Sequence, residues 1–219
     1  MNSDEIDSID LIDELSGIGE TKKRIIKASI SVFVEKGYMG GRIDEIARRA
    51  GVNKAMIYYY FDSKEGLYRS IIEMVFEKVS MILSEHLSKI KPDTIHDGIV
   101  SFIDRYIDFI YENRIFVRFL LWELARGGDV ISGVISRAIG GQFRELVGVF
   151  QQVKDLGKTR PMDPRHVMVS IIGMILFYFF ASPVISTLWG EDTLSPENIR
   201  DRKREVTDFV IHAILPEKR

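Results

Sequence analysis

The stretch GVNKAMIYYYFDSKEGLY, residues 51–68, sets three tyrosines and a phenylalanine in a row between two lysines. Its punctuation frames a short helix: Gly51 is a helix stop, Asn53 a capping residue, and Asp62 with Ser63 a second start signal. Upstream, Ile43, Ile46, Ala47 and Ala50 recur at spacings 0, 3, 4 and 7, the apolar stripe of another two-turn helix, ended by Gly51. Two short helices joined by a tight glycine-containing turn predict a helix-turn-helix.

In such a motif the second helix offers its first residues to base edges while flanking groups hold phosphates. Ile57 and Phe61, four apart, are expected in the core, with Tyr58 joining them. Lys54, Ala55, Met56, Tyr59 and Tyr60 are left facing outward. A lysine reaches guanine O6/N7 or a phosphate, an alanine lets the backbone approach, and a methionine meets a thymine methyl. The hydroxyls of Tyr59 and Tyr60 are long enough to donate to phosphates. Lys64 starts the following helix, where its charge and the free backbone N–H groups make an anion site.

Charge segregation agrees. Residues 1–20 carry seven acids and no Lys or Arg, whereas residues 21–70 carry eleven Lys and Arg against five acids. A basic module on a mildly acidic body, within a net charge of −2, is the footprint of a nucleic-acid binder. With no cysteine in the chain, disulfides, thiolate metal sites and a Cys nucleophile are excluded, and a reducing cytoplasm is expected. The acidic start lacks the pattern of a signal peptide.

Helical periodicity runs through almost the whole chain, and no alternating stretch is long enough to argue for a strand. The expected fold is all-α: an N-terminal three-helix helix-turn-helix module, joined by a long helix to a C-terminal helical body. Thr21 is read as the cap of the first helix, with Ile25, Ile26, Ser29, Val32 and Phe33 as its face and Gly37 as its stop. A long helix begins at Lys64, and further helices are expected near 94–112, 115–126, 129–154, 164–182 and 196–214. Pro161, Pro164, Pro183 and Pro196 mark the breaks, and Ser195-Pro196 makes a cap and first turn. The division is residues 1–19 as an acidic, disordered tail, 20–66 as the DNA-binding module and 67–219 as the body. Val167 to Ala181 is apolar throughout but shorter than the roughly 20 residues of a membrane span, and is read as a helix buried on all sides.

The segments EIARRAGVNKAMIYYYFDSKEGLY (Glu45 to Tyr68) and ASISVFVEKGYMGGRID (Ala28 to Asp44) resemble the DNA-binding domain of the tetracycline-repressor (TetR) family of transcriptional regulators. That family usually has Thr near the start of its second helix, where this chain has Gly41 and then Arg42, so a guanidinium stands in for a hydroxyl as phosphate contact while Gly41 can still cap. Tyr60 stands where His is common.

The resemblance implies a double-stranded DNA operator, a homodimer through the last two helices and a small-molecule effector that releases the operator. No cofactor and no membrane partner are expected. The residues support the dimer independently: the helix at 164–182 is apolar on nearly every side, Gly173 allows close approach, and Ile199, Val206, Phe209, Val210, Ala213 and Ile214 form one stripe. Two linked recognition helices imply an approximately palindromic operator. Phe102, Tyr106, Trp122, Glu123, Phe143, Met174 and Phe177, with Phe109, Phe119 and Tyr178, are candidate lining for a largely apolar effector pocket, or else core. Glu123 can hold a cationic ligand or pair with Arg126.

An enzyme is the competing class, but the chain has no GxSxG, HExxH, Walker loop or complete GxGxxG. His86, His96, His166 and His212 are scattered without metal spacing and are read as surface or helix-end residues, so no catalytic or metal residue is assigned. A helix-turn-helix protein without effector sensing is the remaining alternative.

Overall fold

The computed structural model describes residues 19–87, 93–125 and 129–216, all helix and connecting turns. The helices are α1 (Glu20–Gly40), α2 (Ile43–Ala50), α3 (Lys54–Phe61), α4 (Lys64–Leu87), α5 (Ile95–Glu112), α6 (Arg114–Ala125), α7 (Asp129–Asp155), α8 (Pro164–Trp189) and α9 (Pro196–Ile214). They divide into two compact units, Met1–Lys78 with Glu112–Ala138, and Val79–Tyr111 with Ile139–Arg219. The acidic tail and Arg126 lie outside the described residues.

In the first unit α1 packs on α2 and α6, and α2 on α3. The first helix begins one residue before the expected cap: Gly19 is its N-cap, with no side-chain bond, and Thr21 lies within the first turn. Gly37, at φ 66°, breaks the helical path where the stop was expected, and one further turn follows to Gly40. The core gathers Ile25, Ile26, Ile30, Val32 and Phe33 of α1, Ile46 of α2, Ile57 and Phe61 of α3, and Leu67, Tyr68, Ile71 and Ile72 of α4. Tyr68 meets Phe33 edge-on at 5.3 Å and Tyr38 at 4.7 Å, so aromatic contacts tie the kinked end of α1 to α4.

The second unit is closed by α8 and α9, which pack on each other. Asp163 caps α8 through the Arg165 amide at 2.9 Å, and Ser195 caps α9 through the Asn198 amide at 3.3 Å, each followed by a proline in the first turn. Pro183 does not break α8, which runs seven residues beyond the expected end and totals 26 residues. A proline leaves the carbonyl four residues earlier without its N–H donor. Here the Ser182 hydroxyl donates to that carbonyl, Phe179 O, at 2.9 Å, which replaces the missing bond and lets the helix continue. The turn after α8 is held by buried Thr193: its carbonyl accepts from the Tyr178 hydroxyl at 2.6 Å and its amide donates to Ser186 at 3.1 Å.

The extended α8 is long and apolar enough to cross a membrane by length and composition, and only a third of its most apolar window is buried. The expectation of a helix too short for a span and buried on all sides is therefore corrected. Ile171, Ile175, Tyr178 and Phe179 face the core, while Val169, Phe177, Phe180, Val184 and Leu188 form an exposed seam on the opposite side. The α9 stripe also divides: Ile199, Val206, Val210 and Ile214 are buried, and Phe209 and Ala213 are exposed. Their register explains the split, since Phe209 and Ala213 sit on the flank of the buried row at helical spacing. Lys203, beside that row, ties α9 to α5 through Asp104 at 2.8 Å and Asp108 at 2.7 Å.

Candidate nucleic-acid interface

The recognition face is built from α2, its turn and α3. Gly51, in left-handed geometry, closes α2, and Asn53 caps α3 by accepting from the Ala55 amide at 2.8 Å. An ion-pair net fixes α2 against α1. Arg49 donates to both carboxylate oxygens of Glu35 at 2.7 Å, to Ser31 at 2.7 Å and to Glu45 at 2.7 Å, and Lys36 donates to Glu45 at 2.5 Å. Hydrogen bonds from Arg49 hold Glu35 below the usual glutamate range, and those from Lys36 and then Arg49 do the same for Glu45. The bidentate Arg49–Glu35 contact sets an angle as well as a distance, so the net orients α2 relative to α1.

Ile57 and Phe61 are buried as expected, which directs the rest of α3 outward. Tyr59 is 78% exposed, the largest value among the aromatic residues described. Lys54, Ala55 and Tyr60 are exposed and Met56 is half-buried. Tyr58 was expected in the core, but it is 43% exposed. Two apolar positions four apart suffice to anchor an eight-residue helix, and Tyr58, one residue past Ile57, falls beyond the edge of that narrow stripe. Tyr59 and Tyr60 meet edge-on at 5.2 Å, and Lys22 of α1 lies 5.4 Å from the centre of the Phe61 ring.

Arg42 is exposed and occupies the N-cap position of α2 without a side-chain cap bond. The preceding Gly41, expected to cap, is buried instead, and a Cβ there would stand 2.6 Å from the Phe33 ring. Lys64 has partners within the protein: its ammonium sits 4.5 Å from the Tyr38 ring centre and 3.4 Å from the Met39 carbonyl, and burial lowers its pKa. Ser63 caps α4 through the Gly66 amide at 2.9 Å. The junction between α3 and α4 is tight, since Phe61 O accepts from the Ser63 amide at 2.6 Å and a Cβ on Gly66 would lie 2.1 Å from that same carbonyl. Only glycine fits a backbone approach this close.

The tetR family of bacterial regulatory proteins matches residues 25–71, and the tetracyclin repressor-like C-terminal domain matches residues 96–210, more than half of the chain. The chain belongs to the TetR family. It is a DNA-binding transcriptional regulator with an all-α fold. The transcriptional repressor NicS of Pseudomonas putida is 27% identical over 201 residues, covering 89% of this chain and 92% of NicS. The regulator RutR of Escherichia coli K12 is 24% identical over 200 residues, covering 91% and 92%. The fold is shared with the crystal structure of FadR from Bacillus subtilis in complex with stearoyl-CoA, at a TM-score of 0.67 and 18% identity, covering 87% of this chain and 97% of that one. These relatives are transcriptional regulators.

Of the effector candidates, Phe102 and Tyr106 stack on α5 at 5.6 Å with ring planes 8° apart. Both residues are half-buried, and burial raises the Tyr106 phenol well above its ordinary value. Phe143 and Met174 are half-buried, Phe109 and Tyr178 are buried, and Phe177 lies on the exposed α8 seam. The side chains of Phe119, Trp122, Glu123 and His86 lie outside the described residues. His96, His166 and His212 are exposed. Sequence reasoning missed Arg202, which is half-buried over the Tyr178 ring at 4.8 Å and donates to Met174 O at 2.8 Å. No spacing rule marks a lone arginine in a charge-rich helix. Asp44, 3.0 Å from Lys54, was missed too, hidden in the sequence as one more first-turn acid.

Proposed function

We propose that this regulator is a ligand-responsive repressor that binds a palindromic operator as a homodimer and releases it when a small, largely apolar effector binds its C-terminal body. The observation that carries the reading is the exposed α3 face: Ile57 and Phe61 satisfy the core, and Lys54, Ala55, Met56, Tyr59 and Tyr60 are left over for an external partner. Arg42 at the start of α2 supplies a phosphate contact, and Lys64, half-buried over Tyr38, contributes its charge at the start of α4. Residues 20–66 form the DNA-binding module, 67–219 the ligand-binding and dimerisation body, and the protein works in the cytoplasm.

The second copy is assigned to the seam of Val169, Phe177, Phe180, Val184 and Leu188 with Phe209. An exposed apolar row of this length marks an interaction surface, and a two-fold axis lets the same patch serve both partners. Phe102, Tyr106, Phe143 and Met174, all within the second unit, are the proposed effector contacts, and the stearoyl-CoA complex of FadR supports an effector with a large apolar part. Effector binding selects a body conformation that α4 transmits to the DNA modules; a tenfold loss of operator affinity needs about 1.4 kcal/mol of coupling.

Selection of bound duplexes from a random pool, followed by salt titration on the winner, tests the reading. A palindromic motif whose affinity falls steeply with salt is expected. A non-palindromic motif contradicts the dimer, and an operator affinity indifferent to every ligand shown to bind the body contradicts effector control.

A further inference from the structure

Asp44 is an acid on a face that has to meet a polyanion. It stands in the first turn of α2 with its side chain 75% exposed, and its carboxylate lies 3.0 Å from the ammonium of Lys54, the first residue of α3. An exposed ion pair stabilises a fold little, and a carboxylate near phosphates opposes binding. Its first-turn position favours the α2 dipole by a small amount, but that gain does not require it to stand against Lys54 on the outward face; base recognition accounts for the pairing.

In the major groove a G·C pair shows the guanine keto oxygen O6 beside the cytosine amino group N4, two atoms joined by a base-pair hydrogen bond of about 2.9 Å. The protein holds a donor and an acceptor at the matching separation of 3.0 Å. We propose that Lys54 and Asp44 read one base pair together, the ammonium donating to the keto oxygen and the carboxylate accepting from the amino group of the paired base. The keto-then-amino order occurs in G·C and in T·A. G·C is preferred because N7 gives the ammonium a second acceptor, while T·A sets a methyl group against it. In the reversed pairs, C·G and A·T, the carboxylate faces a keto oxygen and the ammonium an amino group, so both are rejected. Lys54 alone is long enough to follow a guanine onto either strand; Asp44 decides which strand carries it. Lys54 donates to the Asp44 carboxylate, and that bond raises the lysine's pKa.

This inference rests on α3 being the recognition helix, and one experiment separates the two. The full-length protein and its Asp44→Asn, Asp44→Ala and Lys54→Ala variants each select from a random duplex pool, with circular dichroism confirming that each is folded. For the unaltered protein, one position per half-site is expected to favour G·C over C·G by about tenfold or more. Asp44→Asn, whose amide offers either a donor or an acceptor, should reduce that preference to under about threefold, with the rest of the motif intact. Asp44→Ala should do the same, and Lys54→Ala should remove guanine preference at that same position. An Asp44→Asn motif that keeps its strand preference at every position overturns the shared readout while leaving the operator reading intact. So does a Lys54→Ala effect at a different position. No enrichment by the unaltered protein overturns both.

Discussion

The α3 face and the α8–α9 seam both expose aromatic side chains, yet their neighbours point to opposite partners. Tyr59 and Tyr60 carry hydroxyls and share α3 with exposed Lys54, and Lys22 lies over the ring of the adjoining Phe61, so that surface suits a hydrated polyanion. Phe177, Phe180, Val184 and Leu188 carry no polar atom in their side chains and continue one another along a single helix face. That surface suits only another apolar surface. Exposure alone would have grouped the two patches together; the chemistry around each ring separates them.

The contrast is broken most severely by putting charge into the seam. Leu188→Glu, or Phe177→Glu as an independent variant, should convert the proposed dimer to monomers in sedimentation equilibrium. Operator affinity should then drop by about a hundredfold or more, because each half-site must be bound without its tethered neighbour. An exposed position explains why the monomer should stay folded. If either variant remains dimeric with unchanged affinity, the seam is not the interface.

Next in size is Gly66→Ala, aimed at the other region. The added Cβ meets the Phe61 carbonyl at 2.1 Å, a backbone atom that can move only by shifting the end of α3. Stability should fall by about 1–3 kcal/mol, as for other overpacked sites, and operator affinity by more than that stability loss accounts for. Gly173→Ala on α8, where a Cβ meets nothing within 4 Å, is the matched control for folding of a single protomer. The pair sharpens the comparison: one glycine serves an internal backbone approach, the other faces open space in the protomer.

A smaller effect tests the ion-pair net behind α2. The folded pKa of Glu35 lies below its ordinary 4.5, so its contribution is complete above that value and is lost as pH falls through the folded pKa. Glu35→Gln should therefore flatten the loss of stability below about pH 4.5 and lower stability near neutrality by under about 1 kcal/mol, the group being largely exposed. Denaturant melts from pH 3 to 7 check both; an unchanged acid slope removes Glu35 from the net.

The helix-turn-helix was legible because its signals are local. Gly51, Asn53 and Ser63 act through their own backbone or side chain within a few residues, and the α2 stripe needs only helical periodicity. The same locality misled at Pro183, where the sequence shows the lost N–H but not the Ser182 hydroxyl that replaces its bond. Tyr58 was misplaced because an aromatic row does not reveal how wide a buried stripe has to be. Phe209 and Val210 are equally apolar neighbours, and only the packing of α9 decides which one is covered. The Asp44–Lys54 pair joins two helices ten residues apart in sequence, so its geometry depends on the angle of the turn between them.

The other end of α3, its junction with α4, holds one strained residue, which supplies the finest test. Asp62 has φ 62° and ψ −40°, the one positive φ among the described non-glycine residues, and the Ser63 amide closes a three-residue turn onto Phe61 O. Such a conformation costs a non-glycine residue about 1–3 kcal/mol, somewhat less for Asp, which tolerates positive φ better than most. Glycine adopts it freely but gives up about 0.5–1 kcal/mol of chain entropy on folding. The difference predicts that Asp62→Gly stabilises the protein by about 0.5–1 kcal/mol. Asp62→Ala retains the strain and loses only the carboxylate, so it should be neutral or destabilising. Thermal melts of the two variants separate backbone from charge: if alanine stabilises as much as glycine, the gain came from removing an acid beside the DNA face and the turn stores no strain. If glycine alone stabilises, the junction is held in place by the tight turn and by Gly66 pressed against Phe61 O, and the aim of α3 is set there.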